Sequence, residues 1–265
     1  MELTIDQLYT YLQCPLKYRL IHNEGIPDQS EYKNAKLYSE GIHKTITYFY
    51  YQIMNGHIPT PRQMRDKWGS YYYEVFEDDK RTKDNFLQSR TKNDIQRLTQ
   101  LRDRGLEAVQ NFYLENKDDP GVPIAVNYPF RIAFDDNLII KGEFELIREK
   151  VDKKSQTRFI EIVDFKTNGY TNDSTDGFFL RHDIRASLMY YAFTELFKNQ
   201  PDRFVFDYIG TPHTISLYRN ENEINRMKSI LKGVSNGIKN EDFYPRQSFS
   251  CKTCSMREYC DRLQF

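Results

Sequence analysis

The chain has little cysteine, a single tryptophan, no net charge and no long apolar run. Without such a run a membrane-spanning helix is not expected. The 38 basic and 38 acidic residues cancel. That balance excludes an indiscriminate polyanion binder but leaves room for a local basic groove. There is no G-x4-G-K-[ST] phosphate loop, so the chain is not expected to act as an ATP-driven motor. Nothing resembles a secretory signal peptide, and no repeat or low-complexity linker interrupts the sequence. A cytoplasmic protein is expected, in the host cytoplasm if the chain is viral. What is present is a globular composition: 265 residues, 39% hydrophobic and 29% charged, enough for a substantial core. Most of the 20 tyrosines and 18 phenylalanines are expected in that core. A minority could stack on unpaired bases.

The four cysteines are unevenly placed. Cys14 stands alone near the start, while Cys251, Cys254 and Cys260 form a C-x2-C-x5-C cluster near the end. Three thiolates need a fourth to complete a tetrahedral site, and only Cys14 can supply it. A shared metal centre would tie the two ends of the chain together, and four thiolates suit an iron–sulfur cluster or structural zinc. Disulfides are the weaker reading for a chain without a secretory signal.

Along the chain, Thr4 and Gln7 have the spacing of a capping box, followed by Leu8, Leu12, Leu16 and Leu20 at helical intervals. This places Cys14 on the first helix, with Pro15 as a kink or break. A second helix is predicted from Asn34 to Asn55, carrying Leu37, Ile42, Ile46, Phe49 and Ile53. Helix-favouring segments then continue to Lys117, with Ile95, Leu98, Leu101, Leu106, Val109 and Phe112. The pattern next changes to strands over Pro123–Phe134, Leu138–Arg148 and Arg158–Lys166, separated by polar turns. A helix over His182–Lys198, strands over Arg203–Gly210 and Thr214–Tyr218, and a helix over Glu221–Gly237 complete the reading. Together these predict an α/β fold, a mixed central sheet with an N-terminal helical cap.

The chemistry concentrates on the third strand. Residues two apart on a strand share a face, so Asp164 and Lys166 point together and Phe165 points away. Glu145, on the preceding strand, could face Asp164 across the sheet, although Lys141 and Glu143 are expected on its face too. Gly41-Ile42-His43 puts an imidazole on the second helix. Two carboxylates, a histidine and a lysine suffice to hold a divalent ion and stabilise charge on a phosphate. His22, His57, His182 and His213 have no such partners and are read as structural.

Glu145, Asp164 and Lys166 resemble the acidic, (D/E)-x-K signature of the PD-(D/E)XK nuclease superfamily. Gly41…His43 ahead of those strands is similar to the RecB-type branch. Cys14-Pro15 with Cys251, Cys254 and Cys260 resembles its iron–sulfur members: the AddB nuclease domain, exonuclease V and the CRISPR-associated adaptation exonucleases. The resemblance implies a restriction-endonuclease-like sheet and a single nuclease domain over 1–265. Its parts would be a mainly helical cap at 1–120, a catalytic core at 121–220, and a C-terminal helix with the cysteine cluster at 221–265.

By position, the resemblance implies that His43, Glu145, Asp164 and the Phe165 carbonyl bind Mg²⁺ or Mn²⁺. Lys166 would be the catalytic lysine. The four cysteines would hold a [4Fe–4S] cluster, with zinc as the alternative. The implied substrate is DNA, single-stranded or with free ends, in replication, recombination or repair, with a helicase or recombination protein as partner. Two positions depart from the pattern: Glu145 stands where aspartate is usual, and Ser187 replaces the glutamine of a Q-x3-Y motif whose Tyr191 remains. These departures motivate an alternative, a non-catalytic nuclease-fold module that binds DNA or protein.

Overall fold

The computed structural model describes residues 1–28, 33–81, 92–167 and 182–263. Part of the predicted helical stretch, 82–91, lies outside these, as do the side chains of Leu37 and Ile95. Three long helices, α3 (Lys33–Met54), α4 (Pro61–Arg81) and α5 (Lys92–Asn116), follow a shorter pair, α1 (Ile5–Gln13) and α2 (Pro15–Tyr18). Six strands form one sheet: β1 (Glu2–Thr4), β2 (Val122–Asp135), β3 (Leu138–Val151), β4 (Arg158–Lys166), β5 (Arg203–Tyr208) and β6 (His213–Leu217). Helix α6 (Ile184–Phe197) connects β4 to its parallel neighbour β5, while α7 (Glu221–Lys239) and α8 (Arg257–Arg262) end the described chain. No helix among the described residues is long and apolar enough to cross a membrane.

The predicted capping box is present: the Gln7 amide donates to Thr4 Oγ1 at 3.1 Å and the Thr4 amide to Gln7 Oε1 at 2.9 Å. One element near it was not anticipated, and one expectation is corrected. Glu2–Thr4 is a strand, parallel to β3 at Ile139–Lys141, too short to carry an alternating signal. Cys14 is not inside the first helix. Its extended backbone (φ −162°, ψ 112°) separates α1 from α2, and Pro15 opens α2, where a missing amide costs nothing.

Helices cover both faces of the sheet, each over its own core. One core joins Leu3, Ile5 and Leu8 with Phe130, Phe144, Ile162, Leu188, Phe204 and Leu231. The other joins Ile42, Phe49, Tyr50, Trp68 and Phe112 with Leu146, Val163, Phe165 and Val205. The N-terminal helices therefore do not form one cap, because β1 anchors α1 to the opposite face from α3, α4 and α5. Gly41 is required by packing: a Cβ there would stand 2.7 Å from the fully buried Trp68 ring.

The sheet forks at its centre. β2 runs antiparallel along one edge of β3 from Leu138 to Glu149. The other edge is shared, β1 pairing with Ile139–Lys141 and β4 with Leu146–Val151. Residues 142–145 lie between these two partners, and beyond Val163 β4 has left β3 and pairs only with β5. The side-chain alternation of β3 also breaks here. Phe144 enters one core and Leu146 the other, opposite a left-handed Asn127 (φ +45°) on β2. Asparagine tolerates that conformation better than most residues.

Candidate active site

The fork gathers the predicted side chains. Glu145 stands where β3 parts from β4, and its Oε2 accepts the Phe165 backbone N–H at 2.7 Å in place of a ladder carbonyl. The Phe165 ring turns away and stacks near Tyr50 (6.0 Å between centroids), which fixes the strand from behind. Asp164 and Lys166 share the other side of β4, as strand alternation predicts, with Lys166 Nζ 2.7 Å from Asp164 Oδ1. His43 reaches Glu145 from α3, Nδ1 to Oε1 being 3.5 Å. Lys141, four residues earlier on β3, instead pairs with Glu2 beside β1.

Sequence reasoning missed a fifth member. Arg185 enters from the first turn of α6, its Nε forming an ion pair with Asp164 Oδ2. A cation in the first turn of a helix opposes the helix dipole, and that misplacement was the available signal. The site thus lies where the two helical layers meet, with His43 from one and Arg185 from the other. Asp183 caps α6, accepting the Arg185 backbone N–H at 2.7 Å. The half-buried Tyr9 hydroxyl of α1 donates to the same carboxylate and accepts that N–H at 3.0 Å. Ser187, expected in the glutamine's place, instead faces α7 beside Arg219 and Met227, and Tyr191 packs edge-on to Phe134 at 6.0 Å.

Burial and mutual charge set the protonation states. Burial, and then the Asp164 charge, push the Glu145 carboxyl up to about 8 against the pull of the Phe165 N–H, Arg185 and Lys166. Burial also lowers His43, partly offset by Asp164, so the imidazole is neutral near pH 7. Burial works against the Arg185 charge, but Asp164 and Glu145 outweigh it and hold its pKa above the usual arginine value. Asp164 Oδ2 and Arg185 Nε are ion-paired yet not aligned for a hydrogen bond, and neither has another partner among the described residues.

This fit can be tested against a hard divalent ion. Two carboxylates and a neutral imidazole are suitable donors, and Asp164 Oδ2 is a buried oxygen lacking a hydrogen bond. The shell is not preformed, since no group of three or more His, Cys, Asp or Glu side chains among the described residues is arranged to hold a metal. At Asp164 the Arg185 side chain contacts the oxygen that an ion would use.

The four cysteines line one cavity of about 730 Å³ together with Lys17, Arg246, Lys252 and Met256. Cys14 lies at the α1–α2 junction, Cys251 in a short turn at Phe249–Thr253, Cys254 just after it, and Cys260 in α8. Backbone N–H groups point at two sulfurs, Arg246 at Cys14 (3.5 Å) and Ser248 at Cys251 (3.4 Å). Burial, and then Cys14, Asp261, Cys254 and Cys251, raise the Cys260 thiol pKa. The thiols thus converge on one cavity but do not form a coordination shell, and the metal centre expected to join the chain ends is not shown.

No curated protein matches the sequence. A solved structure described as "Crystal structure of SSO0001" aligns with 87% of this chain and 97% of its own at 14% identity. Its TM-score of 0.38 is too low to carry an argument. The sequence profile of the PD-(D/E)XK nuclease superfamily matches residues 2–261, which takes in the sheet fork and all four cysteines. The chain belongs to the PD-(D/E)XK nuclease superfamily.

Proposed function

We propose that this protein is a Mg²⁺- or Mn²⁺-dependent deoxyribonuclease acting on single-stranded DNA or DNA ends. The observation that carries this reading is the convergence of His43, Glu145, Asp164 and Lys166 at the fork between β3 and β4. In this reading His43, Glu145, Asp164 and the Phe165 carbonyl would hold the divalent ion. When bound, it supplies a Lewis acid for the phosphate and an acidified water. Hydrolysis joins the water oxygen to phosphorus and breaks one P–O bond. The water gives up a proton and the departing sugar oxygen gains one. Lys166 remains partly solvent-exposed beside Asp164, where its ammonium can donate to the attacking water or to the charged phosphoryl oxygen. The Phe165 N–H keeps Glu145 oriented while His43 stays neutral.

The cysteines in this reading hold a [4Fe–4S] cluster that braces the two ends of one nuclease unit, 1–265, without entering the chemistry. Their shared cavity and the N–H groups aimed at Cys14 and Cys251 support it. Iron and sulfide with brown colour after anaerobic purification, lost in Cys14→Ser and Cys254→Ser, are expected. Stoichiometric zinc in their place selects the alternative metal. Action beside a helicase or recombination protein, in DNA recombination or repair, follows the expected iron–sulfur branch.

The test of the catalytic reading is cleavage of labelled oligonucleotides with Mg²⁺ or Mn²⁺ by wild type, Lys166→Ala and Asp164→Ala. Cleavage by wild type alone supports it. Equal activity in all three removes this site, and DNA binding without any cleavage favours the non-catalytic module.

A further inference from the structure

We propose that Arg185 is a further catalytic residue, the resident counter-ion of Asp164 that transfers to the substrate phosphate when a divalent ion takes its place. Tyr9 and Asp183 act as its positioning residues. The inference rests on the nuclease reading of the same site. Three observations carry it. Arg185 touches the same carboxylate that Lys166 holds from the other oxygen, so Asp164 has two cationic partners with which an incoming divalent ion would compete. Arg185 Nε and Asp164 Oδ2 are both buried and neither makes an aligned hydrogen bond, so their contact is an ion pair alone. The Nε is buried, yet the side chain keeps 23% of its surface in solvent, so part of it already reaches the open side of the site.

A planar guanidinium suits this exchange, because its fork of donors matches carboxylate and phosphate oxygens alike. Its backbone has little freedom. The Arg185 N–H donates to both Tyr9 and Asp183, and Tyr9 also donates to Asp183, which pins the start of α6 to α1. Arg219 Nη2 holds the Asp183 carbonyl at 3.2 Å from the other side. Only the side chain is left to move, from one acid to the incoming phosphate. No bond is made or broken in that exchange.

The test uses full-length wild type, Arg185→Gln, Arg185→Lys, Tyr9→Phe, the double variant Tyr9→Phe/Arg185→Gln, and Lys166→Ala as control. Two readouts are taken: kcat and KM on a single-stranded oligonucleotide, and Mn²⁺ affinity without DNA from the spectrum of free Mn²⁺. Arg185→Gln is expected to lower kcat about 100-fold with little change in KM, and Arg185→Lys about 10-fold. Tyr9→Phe is expected to lower kcat about 10-fold, and the double variant to match Arg185→Gln, because Tyr9 acts through Arg185. Mn²⁺ should bind Arg185→Gln at least as tightly as wild type, since a competing cation is gone.

Arg185→Gln with wild-type kcat beside an inactive Lys166→Ala overturns this inference alone. Wild type and Lys166→Ala with the same cleavage overturn the nuclease reading. Weaker Mn²⁺ binding in Arg185→Gln overturns the exchange whether or not a substrate is turned over, because it would mean that Arg185 only props up the ion's ligands.

Discussion

Strands β3 and β4 carry two buried charge clusters, one at the fork and one further along where the strands stay paired. In the second, Glu161 is 1% exposed and both its oxygens are bound: Oε1 by Arg148 Nε at 2.6 Å and Oε2 by Arg203 at 2.7 Å. Arg148 also donates to the Tyr50 hydroxyl (2.6 Å) and the Pro120 carbonyl (3.2 Å). Burial raises the Glu161 carboxyl, but the two arginines outweigh it and bring the pKa below the usual value. At the fork the same kind of residue behaves oppositely. Glu145 is raised to about 8, and Asp164 Oδ2 lacks a hydrogen bond. One cluster is electrostatically complete and holds the sheet together. The other keeps a buried carboxylate oxygen without a hydrogen bond beside a glutamate of raised pKa, as expected of a site that receives a ligand.

Placing the same substitution in both clusters separates them most strongly. Glu145→Gln is expected to reduce metal-dependent cleavage by about 10³-fold or more while leaving stability unchanged or higher, because a strained carboxyl is removed. Oligonucleotide cleavage and chemical denaturation measure the two effects. Glu161→Gln is expected to do the reverse. It leaves two arginines over one neutral amide and destabilises the fold by about 3 kcal/mol, with the activity of the folded fraction intact.

Acid and alkali should sharpen the contrast further. Glu145 has a raised pKa in the folded protein, so the ion-free protein binds the extra proton between about 4.5 and about 8 and loses stability as pH rises through that window. The slope is at most about 1.4 kcal/mol per pH unit for one proton. Glu161 has a depressed pKa, so its contribution is present above about 4.5 and is lost as pH falls further. Denaturation of the ion-free protein across pH should show both limbs, and Glu145→Gln should flatten only the alkaline one. The smallest change is expected from Gly41→Ala, which forces the Trp68 ring to shift and costs about 1–3 kcal/mol without altering the pH behaviour of either cluster.

Much of this was legible in the sequence, because the signals were local. The Thr4/Gln7 cap, the strand carrying Asp164 and Lys166, and the α6 and α7 helices follow from spacing and patterning over a few residues. The fork was not legible. It arises from β3 sharing one edge between β1 and β4, a long-range pairing with no periodic trace, and β3 breaks its alternation there between Phe144 and Leu146. Arg185 was hidden for a related reason: its partner lies 21 residues away on another element, and the Ser187 position drew attention to a different residue of the same turn. The cysteine spacing predicted a shared metal centre; the four thiols line one cavity, but a closed shell is not shown.

The most direct test of the central claim is an anomalous difference map from crystals soaked in Mn²⁺. One strong peak is expected in the fork, bound by Glu145, Asp164 and His43, with the Arg185 side chain turned away from Asp164. A fork without a peak at saturating Mn²⁺, with Arg185 still on Asp164, would contradict it.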